Sequence, residues 1–318
     1  MPLRVAVQMD PIEGVNIAGD STFALMLGAQ ARGHSLHHYL ADALTYESGR
    51  VYAGAHPVRV QPTPGDHYSL GEFTILDLGR DVDVVLMRQD PPFDLGYITA
   101  THLLERIKGE TLVVNDPAAV RDAPEKVWVL DFARFMPPTM VTRSLGAARK
   151  FAAEHGSVVL KPLHGNAGKA VFKIDAGGAN LSALMELFNA TYREPHMLQA
   201  FLPEVADGDK RIILVDGQFA GAINRRPAAG DIRSNLAAGG TAEAAELTET
   251  EREICAALGP ELERRGLLFV GIDVIGGRWL TEINVTSPTG IVAVDKFNGT
   301  DTAGLIWDAI ERRVAQRG

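Results

Sequence analysis

Near its C-terminal end the chain carries two carboxylates and a carboxamide at a spacing that allows them to share a metal ion. The run Gly271-Ile272-Asp273-Val274-Ile275-Gly276-Gly277-Arg278-Trp279-Leu280-Thr281-Glu282-Ile283-Asn284 reads as two apolar strands joined at Gly276-Gly277, a dipeptide suited to a tight hairpin turn. With those glycines as the turn, Asp273 lies opposite Leu280, and strand alternation places Asp273, Leu280, Glu282 and Asn284 on one face. The three polar side chains are hard oxygen donors of the kind Mg²⁺ accepts beside phosphate oxygens and water. A four-residue turn keeps this parity, whereas a three-residue turn sends Asp273 and Glu282 to opposite faces. The metal site therefore depends on register. The competing reading is the polar outer face of an edge hairpin; the apolar flanks oppose it, because buried carboxylates need partners.

A second constellation suits an anion. Residues 158–172 read as strand, short loop and strand, with Lys161 at the end of the first strand and Gly165, Asn166 and Gly168 in the loop. The glycines let the backbone approach an anion closely, and the lysine supplies a point charge. The loop is not a Walker motif, and no Gly-x-Gly-x-x-Gly follows the first strand. A hairpin whose glycines serve only the turn explains the loop equally well. Lys126, in Pro124-Glu125-Lys126-Val127-Trp128, is a further phosphate candidate whose plain alternative is a solvated helix lysine. Arg88 follows an apolar strand, where open α/β sheets bind ligands, or else it pairs with Asp90 or Asp94. Arg211, Arg225 and Arg233 form another cationic set, suited to bidentate carboxylate or phosphate contact, or to pairing with the nearby acids.

Alternating strands and helices position these groups. Strands are expected at 3–9, 82–87 and 111–115, and helices at 21–32 and 97–107, which points to an open, mainly parallel sheet with helices on both faces. Residues 51–65 read as a surface excursion, and Pro124 with the helical stretch 125–132 as a boundary. A compact α+β unit follows, with helices at 144–155 and 181–191 and strands at 157–163 and 170–175. Strands at 210–215 and 219–225 flank Asp216-Gly217, a two-residue hairpin signal. The Ala/Gly-rich stretch 227–246, carrying Arg233 and Asn235, reads as a lid or an unstructured loop. Helices at 248–265 and 303–317 complete the chain.

The 318 residues are 46% apolar and 22% charged, with a net charge of −9. That acidity argues against nonspecific nucleic-acid binding. No apolar run reaches membrane-spanning length, no signal-peptide pattern opens the chain, and the single cysteine forbids an internal disulfide. These features lead to the expectation of a cytoplasmic protein with no membrane partner. Cys255 sits in an amphipathic helical pattern as an inert thiol. No Ser/His/Asp or Cys/His arrangement is legible.

Taken together, these segments resemble the prokaryotic glutathione synthetases of the ATP-grasp superfamily along essentially the whole chain. The resemblance rests on Met9-Asp10-Pro11, Asp20-Ser21-Thr22-Phe23-Ala24 and Leu86-Met87-Arg88-Gln89-Asp90-Pro91-Pro92-Phe93-Asp94. It continues through Lys161-Pro162-Leu163, Asp207-Gly208-Asp209-Lys210-Arg211, Arg233-Ser234-Asn235 and Thr281-Glu282-Ile283-Asn284-Val285-Thr286-Ser287-Pro288-Thr289. It implies a mixed α/β and α+β fold. An N-terminal doubly wound (pre-ATP-grasp) domain at 1–123 would precede a two-subdomain ATP-grasp region at 124–318. Within that region a lid subdomain would span about 139–200 and a C-terminal antiparallel sheet about 201–318.

By the same likeness Lys126 and Lys161 would contact ATP phosphates, with Gly165, Asn166 and Gly168 folding over them. Gln199, Ala200, Phe201 and Leu202 would edge the adenine, and Asp209 would belong to the same nucleotide site. Asp273, Glu282 and Asn284 would hold Mg²⁺, or Mn²⁺ in its place. Arg88 and Ser287, with Asn284, match positions contacting γ-glutamylcysteine; Arg211, Arg225, Arg233 and Asn235 match the basic lining and mobile loop of the acceptor side. The implied reaction is ATP-dependent joining of γ-glutamylcysteine to glycine through an acyl phosphate, in a homotetramer. His164 and Ala167 depart from the more glycine-rich loop of many members. A D-alanine–D-alanine type ligase, or one acting on protein tails, is disfavoured by the N-terminal strings. A non-catalytic nucleotide-binding regulator is disfavoured by the retained carboxylates.

Overall fold

The computed structural model describes residues 1–165, 168–235 and 239–317. Three sheets organise them. Four parallel strands, in the order Ser35–Tyr39, Arg4–Gln8, Val84–Met87 and Leu112–Val114, form the heart of the first. Parallel strands are covered on both faces, so their sequences are apolar throughout; Val5, Ala6 and Val7 are fully buried. Helix Ser21–Ala31 begins where the Asp20 side chain accepts the Phe23 N–H, and helix Leu95–Glu105 where Asp94 accepts the Tyr97 N–H at 2.9 Å. Both are N-caps that satisfy an otherwise orphaned donor.

The segment expected to be a surface excursion is instead the long strand Arg50–Val60, antiparallel to Ser35–Tyr39. Val51, Ala53 and Ala55 alternate inward and are buried. Period-two patterning outweighed the local Gly and Pro content.

Val158–Pro162, His196–Ala200, Thr139–Thr142 and Phe172–Ile174 form a four-stranded antiparallel sheet. Helices Leu145–His155 and Leu181–Thr191 cover it, and Phe151, Leu160, Met185 and Phe188 belong to a core of its own. The third sheet, also antiparallel, runs Thr241–Ala244, Gln218–Arg226, Asp209–Val215, Phe269–Ile275, Trp279–Asn284. Asp216 and Gly217 both take positive φ in the two-residue turn, with Val215 paired to Gln218, as expected. The stretch read as a lid or an unstructured loop contributes the strand Thr241–Ala244, and the helix Ile291–Asn298 carries no clear sequence signal. Helix Glu249–Arg265 opens with a complete Thr248/Glu251 capping box. The last helix, Thr302–Ala315, packs on the first: fully buried Trp307 donates its indole N–H to the Leu25 carbonyl at 2.8 Å. The chain's end thereby closes over its beginning.

Candidate active site

The hairpin that carries the oxygen donors does not use a two-residue turn. Ile275 pairs with Trp279 across a three-residue connection in which Gly276 and Gly277 adopt positive φ, a backbone region open to glycine at no steric cost. Such a turn alone would have separated the carboxylates. A bulge between Asp273 and Val274 inserts one extra residue on the second strand and restores parity. Asp273 therefore lies directly opposite Glu282, and Asn284 opposite Gly271. Leu280 pairs with Val274 instead, and both enter the apolar core. The Thr281 hydroxyl bridges the bulge to the Asp273 carbonyl at 3.2 Å.

Each carboxylate is met by cations. The Arg211 guanidinium grips Asp273 in a bidentate pair, Nε to Oδ1 at 2.7 Å and Nη2 to Oδ2 at 3.1 Å, and Arg225 adds a contact to Oδ1 at 2.9 Å. Asn284 Nδ2 lies 3.4 Å from Oδ2. Burial works to raise the Asp273 carboxyl, but the two arginines overcome it and hold the group far below the ordinary carboxylate range. Gly271 leaves room for this grip: a Cβ there would sit 3.0 Å from Arg211 Nη1, and the guanidinium would have to give by a few tenths of an ångström. Glu282 faces Lys161 at 3.3 Å and Lys126 at 3.6 Å. Burial opposes its ionisation too, and the lysines win, lowering its pKa; Lys161 itself is lowered by burial. Asp209 accepts from Arg225 at 2.7 Å and from the Ser234 hydroxyl at 2.8 Å, yet its other oxygen has no partner among the described residues. Burial pushes its carboxyl up to about 6 against the pull of Arg225.

These groups stand between two clefts. The first, between the two antiparallel sheets, is lined by Lys126, Lys161, Gly165, Gly168, Gln199, Ala200, Phe201, Leu202, Asp209, Arg233, Asn235, Asp273 and Glu282. Its apolar wall of Val159, Val171, Phe201, Leu202 and Ile275 suits a flat heterocycle, and its lysines suit the anionic end of the same molecule. Lys126 reaches the Gly165 carbonyl at 2.6 Å, tying the glycine loop to the segment that follows Pro124, and Gly168 takes positive φ. Asn166 and Ala167 lie outside the described residues.

The second cleft is lined by Asp90, Glu125, Arg211, Arg225, Asn235, Glu282, Asn284 and Ser287. Arg88 is not part of that lining. It is buried behind it, donating to Thr22 Oγ1 at 3.0 Å and to the Pro288 carbonyl at 2.8 Å, with its guanidinium 5.2 Å from the Phe269 ring centre. Ser287 Oγ donates to the Arg88 carbonyl at 3.0 Å, so Arg88 shapes the turn that presents Ser287. Glu125 was missed in the sequence, although it adjoins Lys126. Its carboxyl is raised by burial, against Lys126 and with Glu282.

Glu282 and Asn235 belong to both clefts. A nucleotide in the first and an acid in the second would meet at Glu282. Family models settle the lineage: that of the prokaryotic glutathione synthetase N-terminal domain matches residues 3–121, and that of the prokaryotic glutathione synthetase ATP-grasp domain matches residues 125–299. The chain belongs to the prokaryotic glutathione synthetase family. It is 58% identical over 315 residues to the glutathione synthetase of Rhodopseudomonas palustris, covering 99% of this chain and 100% of the relative. It is 56% identical over 316 residues to that of Bradyrhizobium diazoefficiens, again covering 99% and 100%. Among solved structures, the crystal structure of the D-cycloserine synthetase DcsG superposes with a TM-score of 0.70 at 18% identity, covering 98% of this chain and 99% of that one. That likeness concerns the fold.

Proposed function

We infer that this chain joins γ-glutamylcysteine to glycine at the expense of ATP, as an ADP-forming ligase. The observation that carries the mechanism is the meeting of the two clefts at Glu282. ATP occupies the first, its phosphates against Lys126, Lys161 and the loop at Gly165 and Gly168, and its adenine along Gln199, Ala200, Phe201 and Leu202. The dipeptide occupies the second, beside Asn284 and Ser287. Its carboxylate attacks the γ-phosphate, giving an acyl phosphate and ADP, and the amine of glycine then displaces phosphate. Two anions must approach within contact distance, so the work of the protein is positioning and charge neutralisation. Arg211 and Arg225, fixed by Asp273, present guanidinium charge to the second cleft, while the lysines do so in the first. Arg88 supports this arrangement from behind.

Among the described residues no three His, Cys, Asp or Glu side chains cluster as a metal centre. Asp273, Glu282 and Asn284 carry the donor types that Mg²⁺ or Mn²⁺ takes, two carboxylates and a carboxamide, and an ion there would take over oxygens of Asp273 that Arg211 and Arg225 now hold. These three residues would hold the ion, which supplies charge neutralisation at the phosphates. The reading extends to a division of the chain near residue 123, a lid at about 139–200, and a cytoplasmic homotetramer; the resemblance supports the last. No described helix is long and apolar enough to cross a membrane.

The test is ADP release by the purified protein with ATP, Mg²⁺ and candidate acids, with and without glycine. Full turnover is expected with γ-glutamylcysteine plus glycine. Sustained turnover with D-alanine alone, or none with the dipeptide, would refute the reading. Arg233 and Asn235 sit on the loop that borders the nucleotide cleft, where Arg233 pairs with Asp231, two residues away, at 2.7 Å. An acyl phosphate must be kept from water, which gives loop closure its purpose. Arg233→Ala is expected to lower turnover about tenfold while changing ATP affinity less than about twofold. Isothermal titration with ATP checks this, and a large loss of nucleotide affinity contradicts it.

A further inference from the structure

Three acidic side chains border the second cleft: Asp90, Glu125 and Glu282. Glu282 is held by Lys161 and Lys126. Asp90 and Glu125 form no ion pair among the described residues, and they stand in different company. The Asp90 N–H donates to Asp10 Oδ2 at 2.7 Å, and Asp10, Arg88 and Asp20 are its charged neighbours. Glu125 lines the second cleft, with Lys126, Glu282 and Arg211 as its charged neighbours. Its carbonyl accepts the Ile283 N–H at 3.2 Å, which fixes its backbone beside the metal hairpin. Oε1 accepts from the Thr286 hydroxyl at 2.8 Å, and Oε2 has no hydrogen-bond partner in the protein among the described residues. One oxygen orients the carboxylate and the other is left for a ligand.

The reaction needs such a group. An amino-acid acceptor arrives as an ammonium ion, which has no lone pair and cannot attack. The junction it must reach is lined by Arg211 and Arg225, with Lys126 and Lys161 just beyond, so a cation is repelled there unless a carboxylate receives it. Asp273 is engaged through both oxygens by arginines, and Asp209, whose second oxygen has no partner among the described residues, lines the first cleft and not the second. Of the acids lining the second cleft, Glu125 is the one that has Glu282, Arg211 and Lys126 as charged neighbours and forms no ion pair among the described residues.

We propose that Glu125 seats the ammonium group of the acceptor and takes the proton that must leave before the nitrogen attacks. The proposal rests on the reading that an acyl phosphate forms between the two clefts. The acceptor R–NH₃⁺ gives one proton to the Glu125 carboxylate, and the freed lone pair forms the C–N bond at the acyl carbon. The C–O bond to phosphate then breaks, and the second proton leaves nitrogen with the departing phosphate. The products are the amide, hydrogen phosphate and a protonated Glu125, so charge and hydrogen balance.

Glu125→Gln separates this role from the anchoring of Thr286, because the amide oxygen still accepts the hydroxyl bond. Full-length wild type and variant are given ATP, Mg²⁺ and γ-glutamylcysteine with either glycine or hydroxylamine, an amine that is uncharged near neutral pH. With glycine, turnover of the variant is expected to fall about 100-fold, while hydroxamate formation stays within about threefold of wild type. Parallel losses with both acceptors would place Glu125 in acyl-phosphate formation or in folding and overturn the proposal. Unchanged turnover with glycine would overturn it as well. If the wild type itself releases no ADP and forms no hydroxamate from the dipeptide, the acyl-phosphate reading falls, and that outcome is distinct from a failure of Glu125 alone.

Discussion

Glu282→Gln is expected to reduce ligation about 1,000-fold without unfolding the protein, a loss of the size seen when a preorganised electrostatic contact to a reacting centre is removed. The substitution preserves volume and removes one charge from the point where both clefts meet. Lys161 loses the carboxylate 3.3 Å away that supports its ammonium form against burial, and Lys126 loses a partner at 3.6 Å. An amide is also a poorer ligand for Mg²⁺ than a carboxylate. The lysine-lined end of the first cleft, where we place the phosphates, is therefore weakened in two ways by one atom change. Coupled ADP release, measured over a range of Mg²⁺ concentrations, checks the effect, with circular dichroism to confirm the fold. Near-normal turnover at low Mg²⁺ would show that Glu282 neither holds the ion nor tunes the lysines.

Asp273→Ala should act on stability as well as on activity. The carboxylate is buried, and two arginines, themselves buried, have it as a common partner. Removing it leaves guanidinium charge in a dry environment, where breaking such a pair from one side costs about 3–5 kcal/mol. Arg225 retains Asp209, so the burden falls chiefly on Arg211. Equilibrium urea titration of both proteins at neutral pH measures the difference; a loss under about 1 kcal/mol would mean that the arginines relax into water. The pH dependence has a definite sign. The Asp273 carboxyl is depressed in the folded state, so its contribution is fully present above the ordinary aspartate range and is lost as pH falls through its folded value. Wild type should therefore lose stability toward acid more steeply than Asp273→Ala.

Much of this site was legible because its parts announce themselves locally. The alternation of Asp273, Glu282 and Asn284 along apolar strands, the glycines at 165 and 168, and the Asp216-Gly217 turn all encode geometry within a few residues. Parity survived for a reason the sequence did not offer. The turn has three residues, and a bulge repaired the register. Bulges depend on how both strands fit their neighbours, here Asp209–Val215 on one side and the 3₁₀ segment Trp128–Phe135 near the other. The strand Arg50–Val60 was obscured by Gly54 and Pro57, whose local meaning is a turn, although the buried partners on alternate positions decide otherwise.

By itself the sequence determined which side chains can do chemistry and, through caps, turns and periodicity, most of the elements that carry them, because those signals act between residues close in the chain. Only the tertiary structure decided how charges are shared: Arg211 is 62 positions from Asp273, Lys161 is 121 from Glu282, and Glu125 is 161 from Thr286. Placing Arg88 behind the cleft rather than in it, and leaving one Glu125 oxygen without a partner among the described residues, likewise required the packing of distant segments. Coulomb interactions and burial depend on distance in space and on access to water, and neither is written in the spacing along the chain.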